Sequence, residues 1–237
     1  MTTITCRGVR VGYHDKVFLN HVDLDLKPNS RTLLYGPPGN GKTSLFRILC
    51  GIHAAGNGAR VAWGDYKLTS IRRAHRVRHR YMGLIFSGFY FLESLTVEEN
   101  IALPAVLAGH AQDKIRKRLE KLYAVFAFTG RQQELDLRGL TTRGINIRQL
   151  SNGQKEMVAI ARSLILDAPF VFADEMMRSF DPEAEAAVWE RLLSPDIGFG
   201  TTRGFFLITH KKHLQEDKRI DAIYTIDHDK KELKREK

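Results

Sequence analysis

A glycine-rich segment that ends in a lysine and a threonine carries the clearest chemistry in this chain. Residues 36–43 read Gly-Pro-Pro-Gly-Asn-Gly-Lys-Thr and match the pattern G-x-x-x-x-G-K-[ST] at every defined position. Glycines let such a loop curl until its backbone N–H groups face a phosphate, and the N-terminus of a following helix favours anions. We expect Lys42 to reach the β- and γ-phosphates of a nucleotide and Thr43 to place its hydroxyl on Mg²⁺.

The elements on either side of this loop are those that the motif requires. An apolar strand is predicted at residues 31–35 before the loop, and a helix at residues 42–49 after it. The residues that we expect to contact nucleotide phosphates are Gly36, Pro37, Pro38, Gly39, Asn40, Gly41, Lys42, Thr43 and Ser44. Kinases, GTPases and many ATPases share such a loop, so it does not choose among them.

A second motif, Leu150-Ser151-Asn152-Gly153-Gln154, resembles the Leu-Ser-Gly-Gly-Gln signature of the ABC (ATP-binding cassette) family. Asn152 replaces the first glycine, a mild change because asparagine tolerates left-handed backbone conformations. A helical stretch follows, so Ser151 and the helix N-terminus form a second anion site. In the family two cassettes meet head to tail, and each signature covers the γ-phosphate held by the other. The resemblance therefore implies that residues 151–154 contact ATP bound to a second copy.

The apolar strand at residues 170–173 and the two acids after it resemble the Walker B element of the same family. The resemblance implies that Asp174 belongs to the Mg²⁺ shell and that Glu175 polarises the attacking water as the catalytic carboxylate. An ordinary strand that ends in acidic residues is the alternative when the segment is taken alone. Its position just after the signature helix favours the Walker B interpretation.

Three further positions match the family in its motif order. Ser179 and Asp181 lie in Ser-Phe-Asp, which resembles the D-loop that touches the opposite cassette. His210 follows a predicted strand at residues 205–208, where the family carries a histidine that contacts the γ-phosphate; a structural histidine is the alternative. Tyr13 resembles the aromatic residue that stacks on adenine, and a core or surface tyrosine stays open there.

Two departures from the family lie close to the expected chemistry. Ser87 follows the predicted strand at residues 82–86, where the family has a glutamine that reaches Mg²⁺ and the attacking water. Serine is shorter, so contact with the metal requires an inward movement of the loop or a bridging water. Met176 and Met177 replace the usual Pro-Thr after the catalytic glutamate. Because the other catalytic positions are present, we expect an active ATPase.

Strand and helix patterns along the chain predict the scaffold that positions these residues. Alternating apolar and polar residues at 3–11 and 22–26 predict antiparallel strands, and an amphipathic helix is predicted at 113–128. Strand–helix alternation elsewhere predicts a mostly parallel sheet. We therefore expect an α/β P-loop NTPase fold with N-terminal antiparallel strands and a helical insertion that carries the signature. The expected single nucleotide-binding domain spans 1–237, with its core at 1–95 and 165–237 and its helical subdomain at about 96–164.

Composition and charge set the expected surroundings. Hydrophobic residues make up 43% of the sequence, enough for a packed core. Neither a bilayer-spanning apolar run nor a signal peptide is evident, so we expect a cytoplasmic protein, peripheral on the cytoplasmic face of the inner or cell membrane. The two cysteines indicate no disulfide framework. The charged residues 229–237 are expected to form a solvated end.

The net charge of +10 indicates an anionic partner without identifying it. The resemblance implies ATP and Mg²⁺ as ligands, and transmembrane permease subunits and a second copy of the cassette as partners. Residues 95–109 resemble the lipoprotein-release, macrolide-efflux and cell-division ATPases, whereas Asp181-Pro182 resembles phospholipid-trafficking and nutrient-import ATPases. A soluble ABC ATPase that acts on nucleic acid or ribosomes stays open because of the basic run at 72–80. We expect no nucleic-acid partner.

Overall fold

The computed structural model describes residues 3–13, 16–142, 145–194, 203–227 and 229–237, with the side chain of Tyr13 outside the described part. The chain divides into two compact units. The sheet unit comprises Met1–Met82, Ala168–Glu175 and Thr202–Lys237, and the helical unit comprises Gly83–Asp167 and Met176–Thr201.

The strands of the described chain are β1 (Ile4–Tyr13), β2 (Lys16–Leu26), β3 (Arg31–Tyr35), β4 (Arg60–Trp63), β5 (Tyr66–Lys67), β6 (Met82–Ile85), β7 (Phe170–Asp174), β8 (Gly204–Thr209), β9 (Ala222–Asp227) and β10 (Glu232–Arg235). All except β6 belong to the sheet unit, and β6 has only its first residue there. Within the sheet unit the strands are hydrogen-bonded in the order β5-β4-β1-β2-β10-β9-β3-β8-β7.

The centre of the sheet is parallel. β3 pairs with β8 and β9, and β7 pairs with β8, all in parallel. Every residue of β7 and β8 is buried, as expected for parallel strands with both faces covered. Tyr35 pairs with Thr209, and Asp174 pairs with Ile208. The carboxyl ends of β3, β7 and β8 therefore meet at one edge of the sheet.

Helix α1 (Lys42–Leu49) covers this parallel sheet and has the predicted bounds. Leu45, Phe46 and Leu49 are fully buried on it, and the Phe46 ring meets the Phe172 ring edge-on at 6.0 Å. A second helix of the unit, α2 (Ile71–Val77), buries Ala74 and exposes most of its arginines. The packing of α1 on β7 fixes the phosphate loop at the helix start.

The N-terminal strands pair antiparallel, as predicted, over a longer stretch than the alternation indicated. β2 begins at Lys16 rather than at Val22 because register irregularities in β1 interrupt the simple alternation. The C-terminal residues form an element that the sequence did not predict. Within the expected solvated end, Glu232–Arg235 form β10, which pairs with β9 and with β2. The side chains of β10 stay largely exposed, as expected for a solvated end.

The helical unit contains the remaining α-helices of the described chain. They are α3 (Val97–Leu107), α4 (Gln112–Val125), α5 (Leu137–Thr142), α6 (Asn152–Leu164) and α7 (Pro182–Leu193). The predicted amphipathic helix is α4, which buries Ile115, Leu119 and Leu122 and ends at Val125 instead of Phe128. Among the residues that the structure describes, no helix is both long and apolar enough to cross a bilayer.

Candidate functional site

The phosphate loop leaves β3 at the sheet edge where β8 also ends. The Gly36 N–H donates to the Thr209 carbonyl oxygen at 3.4 Å. Gly41, with φ of 85°, forms the N-cap of α1. A Cβ atom at this position would lie 2.7 Å from Cβ of Phe18, so both the backbone angle and the close approach require glycine. Gly41 thus lets the chain turn into α1 while its backbone lies close to Phe18 of β2.

Lys42 is held inside the loop rather than extended into solvent. Lys42 is only 4% exposed, and its Nζ donates to the Pro37 carbonyl oxygen at 2.6 Å. Burial lowers the pKa of the Lys42 ammonium, while the carboxylates of Glu175 and Asp174 act against that shift. Asn40 is also buried, and its Nδ2 has no hydrogen-bond partner among the described residues. A partly desolvated cation and an unpaired donor are what a phosphate group would satisfy.

The first turn of α1 also meets the end of β7. Thr43 Oγ1 donates to Asp174 Oδ1 at 3.2 Å, and Asp174 is 2% exposed. Burial raises the pKa of the Asp174 carboxyl, and the Thr43 hydroxyl works in the opposite direction. In the described part of the chain no group of three His, Cys, Asp or Glu side chains could hold a metal. A hydroxyl and a carboxylate oxygen fit Mg²⁺, which uses few protein ligands and takes substrate phosphates and water for the rest.

Glu175 and His210 form a pair at the same edge. Glu175 Oε1 lies 3.5 Å from His210 Nδ1, and the two side chains are 27% and 53% exposed. The Glu175 N–H donates to the Ile208 carbonyl oxygen at 3.0 Å, which ties it to the adjoining strand. Its φ of 56° is a strained value for a non-glycine residue, a kind of strain that clusters at functional sites. This pair is a carboxylate within reach of water beside an imidazole.

The predicted signature residues lie at the start of α6 in the helical unit. Ser151 is the N-cap: its Oγ accepts from the Gln154 N–H at 3.2 Å, and the Ser151 N–H donates to Gln154 Oε1 at 2.9 Å. Gln154 Nε2 donates to the Glu134 carbonyl oxygen at 3.1 Å. Ser151 and Asn152 are exposed, so the serine hydroxyl can still donate outward.

The predicted D-loop leads into α7. Asp181 Oδ1 accepts from the Ala184 N–H at 2.8 Å and caps that helix, whose first residue is Pro182. The backbone N–H groups of Arg178 and Ser179 donate to the carboxylate of Glu156 on α6. Motif comparison did not single out Glu156. The sequence held one signal for it: this acidic residue directly precedes the apolar run 157–161, and an acidic residue that is buried in a helix usually has a partner.

The structure brings Lys42, Thr43, Asp174, Glu175 and His210 together within the sheet unit. The Tyr13 backbone ends β1 opposite Lys16, and its side chain, on which the stacking expectation rests, lies outside the described part. Residue 87, the serine that stands where the family has glutamine, follows β6 and is half-buried in the helical unit.

Comparison with known proteins adds a family-level result. A family model described as ABC transporter matches residues 19–178. The methionine import ATP-binding protein MetN of Rhodospirillum rubrum is 34% identical over 212 residues, 89% of this chain and 56% of that protein. The lipoprotein-releasing system ATP-binding protein LolD of Treponema denticola is 27% identical over 200 residues, 84% of this chain and 82% of that protein. The chain spans about half the length of the MetN relatives that it matches.

Solved structures with the same fold include a bacterial ABC transporter cassette, MJ0796. Its dimeric structure has a TM-score of 0.76 at 22% identity and covers 94% of this chain and 93% of that chain. A dimeric post-hydrolysis state of the same cassette, bound to ADP and phosphate, has a TM-score of 0.80 at 21% identity and covers 99% of this chain and 98% of that chain.

Proposed function

Because this chain belongs to the ABC transporter family, we propose that it is the ATP-binding and ATP-hydrolysing subunit of a membrane transporter. One observation carries the proposal. At one sheet edge a buried ammonium, a hydroxyl–carboxylate pair and a solvent-accessible carboxylate beside an imidazole lie together. This combination supports phosphate binding, metal binding and activation of water at one site.

Phosphate binding is assigned to the loop 36–44 and to the Lys42 ammonium. ATP phosphates would replace the Pro37 carbonyl oxygen as the partner of Lys42 Nζ and would offer an acceptor to Asn40 Nδ2. Thr43 Oγ1 and Asp174 Oδ1 would hold Mg²⁺, which, when bound, neutralises charge on the β- and γ-phosphates. The Tyr13 ring is proposed to stack on adenine.

Hydrolysis is assigned to Glu175 and His210. The Glu175 carboxylate accepts a proton from water as the water oxygen attacks the γ-phosphorus, and the bond from that phosphorus to the bridging oxygen of ADP breaks. His210 lies beside Glu175 and is proposed to contact a γ-phosphate oxygen as charge builds there. The products are ADP and inorganic phosphate.

The rest of the ATP site is proposed to come from a second copy of the cassette. Ser151, Asn152, Gly153 and Gln154 start a helix whose first N–H groups and exposed serine hydroxyl suit an anion. Ser179 and Asp181 would contact the same second copy. The dimeric state of the MJ0796 cassette, which has the same fold, supports pairing of this kind.

The partners are proposed to be separate transmembrane permease subunits that hold the chain at the cytoplasmic face of the membrane. The similarity to LolD supports a lipid, lipoprotein or envelope-related substrate. The similarity to several methionine import proteins named MetN favours a second candidate, a nutrient importer ATPase. Purification of the tagged chain from its own membranes tests the transporter assignment that the two candidates share. A multi-span membrane protein is the expected companion, whereas a nucleic-acid or ribosomal complex would contradict the transporter assignment.

Two substitutions test the site itself. Lys42→Ala is expected to weaken ATP binding because the phosphates lose the buried ammonium. Glu175→Gln is expected to leave ATP binding intact and to lower turnover by about 10²-fold or more, because the water loses its proton acceptor. Nucleotide binding by fluorescence and phosphate release measure the two effects.

The matched controls are Lys27→Ala and Asp65→Asn, which alter exposed residues of the same unit, one before β3 and one in the turn between β4 and β5. Both are expected to behave as wild type. A Glu175→Gln protein that turns over at the wild-type rate would show that Glu175 is not the proton acceptor. ATP binding that stays intact in Lys42→Ala would show that the phosphate loop does not bind the nucleotide.

A further inference from the structure

Glu156 is a buried carboxylate that the proposed chemistry does not use. It lies on α6 and is 3% exposed. Its Oε1 accepts from the Arg178 N–H at 3.0 Å, and its Oε2 accepts from the Ser179 N–H at 3.0 Å. One donor belongs to the first residue of the segment Ser179-Phe180-Asp181, and the other belongs to the residue just before it. One side chain of the signature helix therefore holds the backbone of the predicted D-loop.

We propose that Glu156 is a positioning residue that fixes the D-loop to the signature helix, so that both reach the second copy as one preformed surface. This inference rests on the proposed function, since both segments are assigned to the ATP site of the other cassette. It adds a residue that links the signature helix to the D-loop within one copy.

The two hydrogen bonds that Glu156 accepts belong to a strong class. Hydrogen bonds to an ionised carboxylate are stronger than those between neutral groups, and two parallel bonds also fix direction. Because the donors are backbone groups of successive residues, their orientation is fixed together with the path of the chain at 178–179. Without the carboxylate, two N–H groups would lose their acceptor in a part-buried place, which is unfavourable.

Two further contacts make the segment a fixed body rather than a loop tied at one point. The ring of Phe180 packs against Gly153, where an added Cβ would lie 3.4 Å from the ring. Asp181 accepts from the Ala184 N–H at 2.8 Å and anchors the segment to α7. Of these contacts, Glu156 is the one that joins the D-loop to α6 by hydrogen bonds, two residues after the signature glutamine Gln154.

The test separates ATP binding by one copy from pairing of two copies. Glu156→Ala and Glu156→Gln are placed in the Glu175→Gln background for pairing and in the wild-type background for turnover. ATP affinity of the single copy is expected to stay within about twofold. ATP-driven pairing and kcat are expected to fall about tenfold or more in Glu156→Ala, because two charge-assisted bonds are lost. Glu156→Gln is expected to give intermediate pairing and kcat, since its single amide oxygen replaces only one of the two carboxylate oxygens that accept from the backbone N–H groups.

The control is Glu98→Gln in the same unit, which alters a carboxylate that accepts from the Tyr123 hydroxyl. It is expected to pair and turn over as wild type. Equal pairing and kcat in Glu156→Ala and wild type would overturn the inference, as would a loss that merely follows the folded fraction measured by thermal unfolding. If Glu156→Ala does not fold, Glu156→Gln decides by the same two readouts. Failure of the Glu175→Gln protein itself to pair would instead reject the proposed function.

Discussion

Asp174 and Lys42 are buried in a site that contains charge before any ligand arrives. Burial raises the pKa of the Asp174 carboxyl and lowers the pKa of the Lys42 ammonium, so both shifts favour the neutral forms. A bound cation would favour the ionised form of Asp174, and a bound phosphate would favour the charged form of Lys42. The nucleotide-free site is therefore destabilising to the fold, and ligand binding is expected to stabilise it.

Asp174→Asn tests this at the residue scale. Below the unfolded-state pKa of about 3.9 the carboxyl is neutral in both states, and it adds no penalty. As pH rises from there through the raised folded pKa, the folded state loses stability relative to a neutral side chain. At pH 7, with chelator and no nucleotide, Asp174→Asn is expected to unfold on the order of a few degrees higher than wild type.

The difference between the two proteins is expected to disappear at acid pH, and wild type is expected to be stabilised more by Mg²⁺ with ATP. Thermal unfolding across pH measures both effects. A melting temperature that falls in Asp174→Asn at pH 7 would show that the carboxylate stabilises the empty site.

Ser87 leads to a prediction about the basal rate of ATP hydrolysis. A serine cannot span the distance that the family's glutamine spans, so the isolated chain is expected to be a slow ATPase that speeds up on assembly with its membrane partner. Ser87→Gln is expected to raise the basal rate. Phosphate release is measured for both proteins with and without the partner. An isolated wild type that already runs at the assembled rate, with no change in Ser87→Gln, would make the serine a tolerated replacement.

At the scale of elements, two capped helices of the helical unit allow a matched comparison. Ser151 caps α6 and Thr96 caps α3, each through a reciprocal capping box. Ser151→Ala and Thr96→Ala are each expected to lower the free energy of unfolding by about 1 kcal/mol. Only Ser151→Ala is expected to abolish ATP-driven pairing, because only α6 is assigned to the second copy's ATP. Equal pairing in both variants would remove the signature from that role.

How far the sequence predicts these elements depends on what holds each of them. The α1 bounds were predicted because the loop motif and the apolar residues at positions 45, 46, 48 and 49 are local signals. Strand β10 was missed because its side chains are largely polar and exposed, and pairing with β9 holds it. The start of β2 was missed because the consecutive apolar residues 17–19 and the register irregularities of its partner β1 break the simple alternation. The edge at which β3, β7 and β8 end was predictable, because the carboxyl ends of parallel strands meet there. The two bonds of Glu156 were not, because they depend on residues 22 and 23 positions further along the chain.

At the scale of the whole molecule, the predicted α/β P-loop fold and the ABC family are confirmed by the family model and by solved cassettes of the same fold. The residues proposed to act on ATP are divided between the units. The sheet unit contains the phosphate loop, Asp174, Glu175 and His210, whereas the helical unit contains the predicted signature and D-loop. The signature and the D-loop are proposed to act on ATP bound to another copy, so the proposed function depends on pairing of two copies.

The most direct test is the size of the Glu175→Gln protein in solution, measured by sedimentation with and without ATP and Mg²⁺. Loss of the proton acceptor should leave ATP in place between two copies, so the account predicts a dimer with ATP and a monomer without it. Adding Lys42→Ala to the same protein should abolish the dimer, since ATP is then held poorly. A Glu175→Gln protein that binds ATP yet stays monomeric, alone and with its membrane partner, would contradict the account.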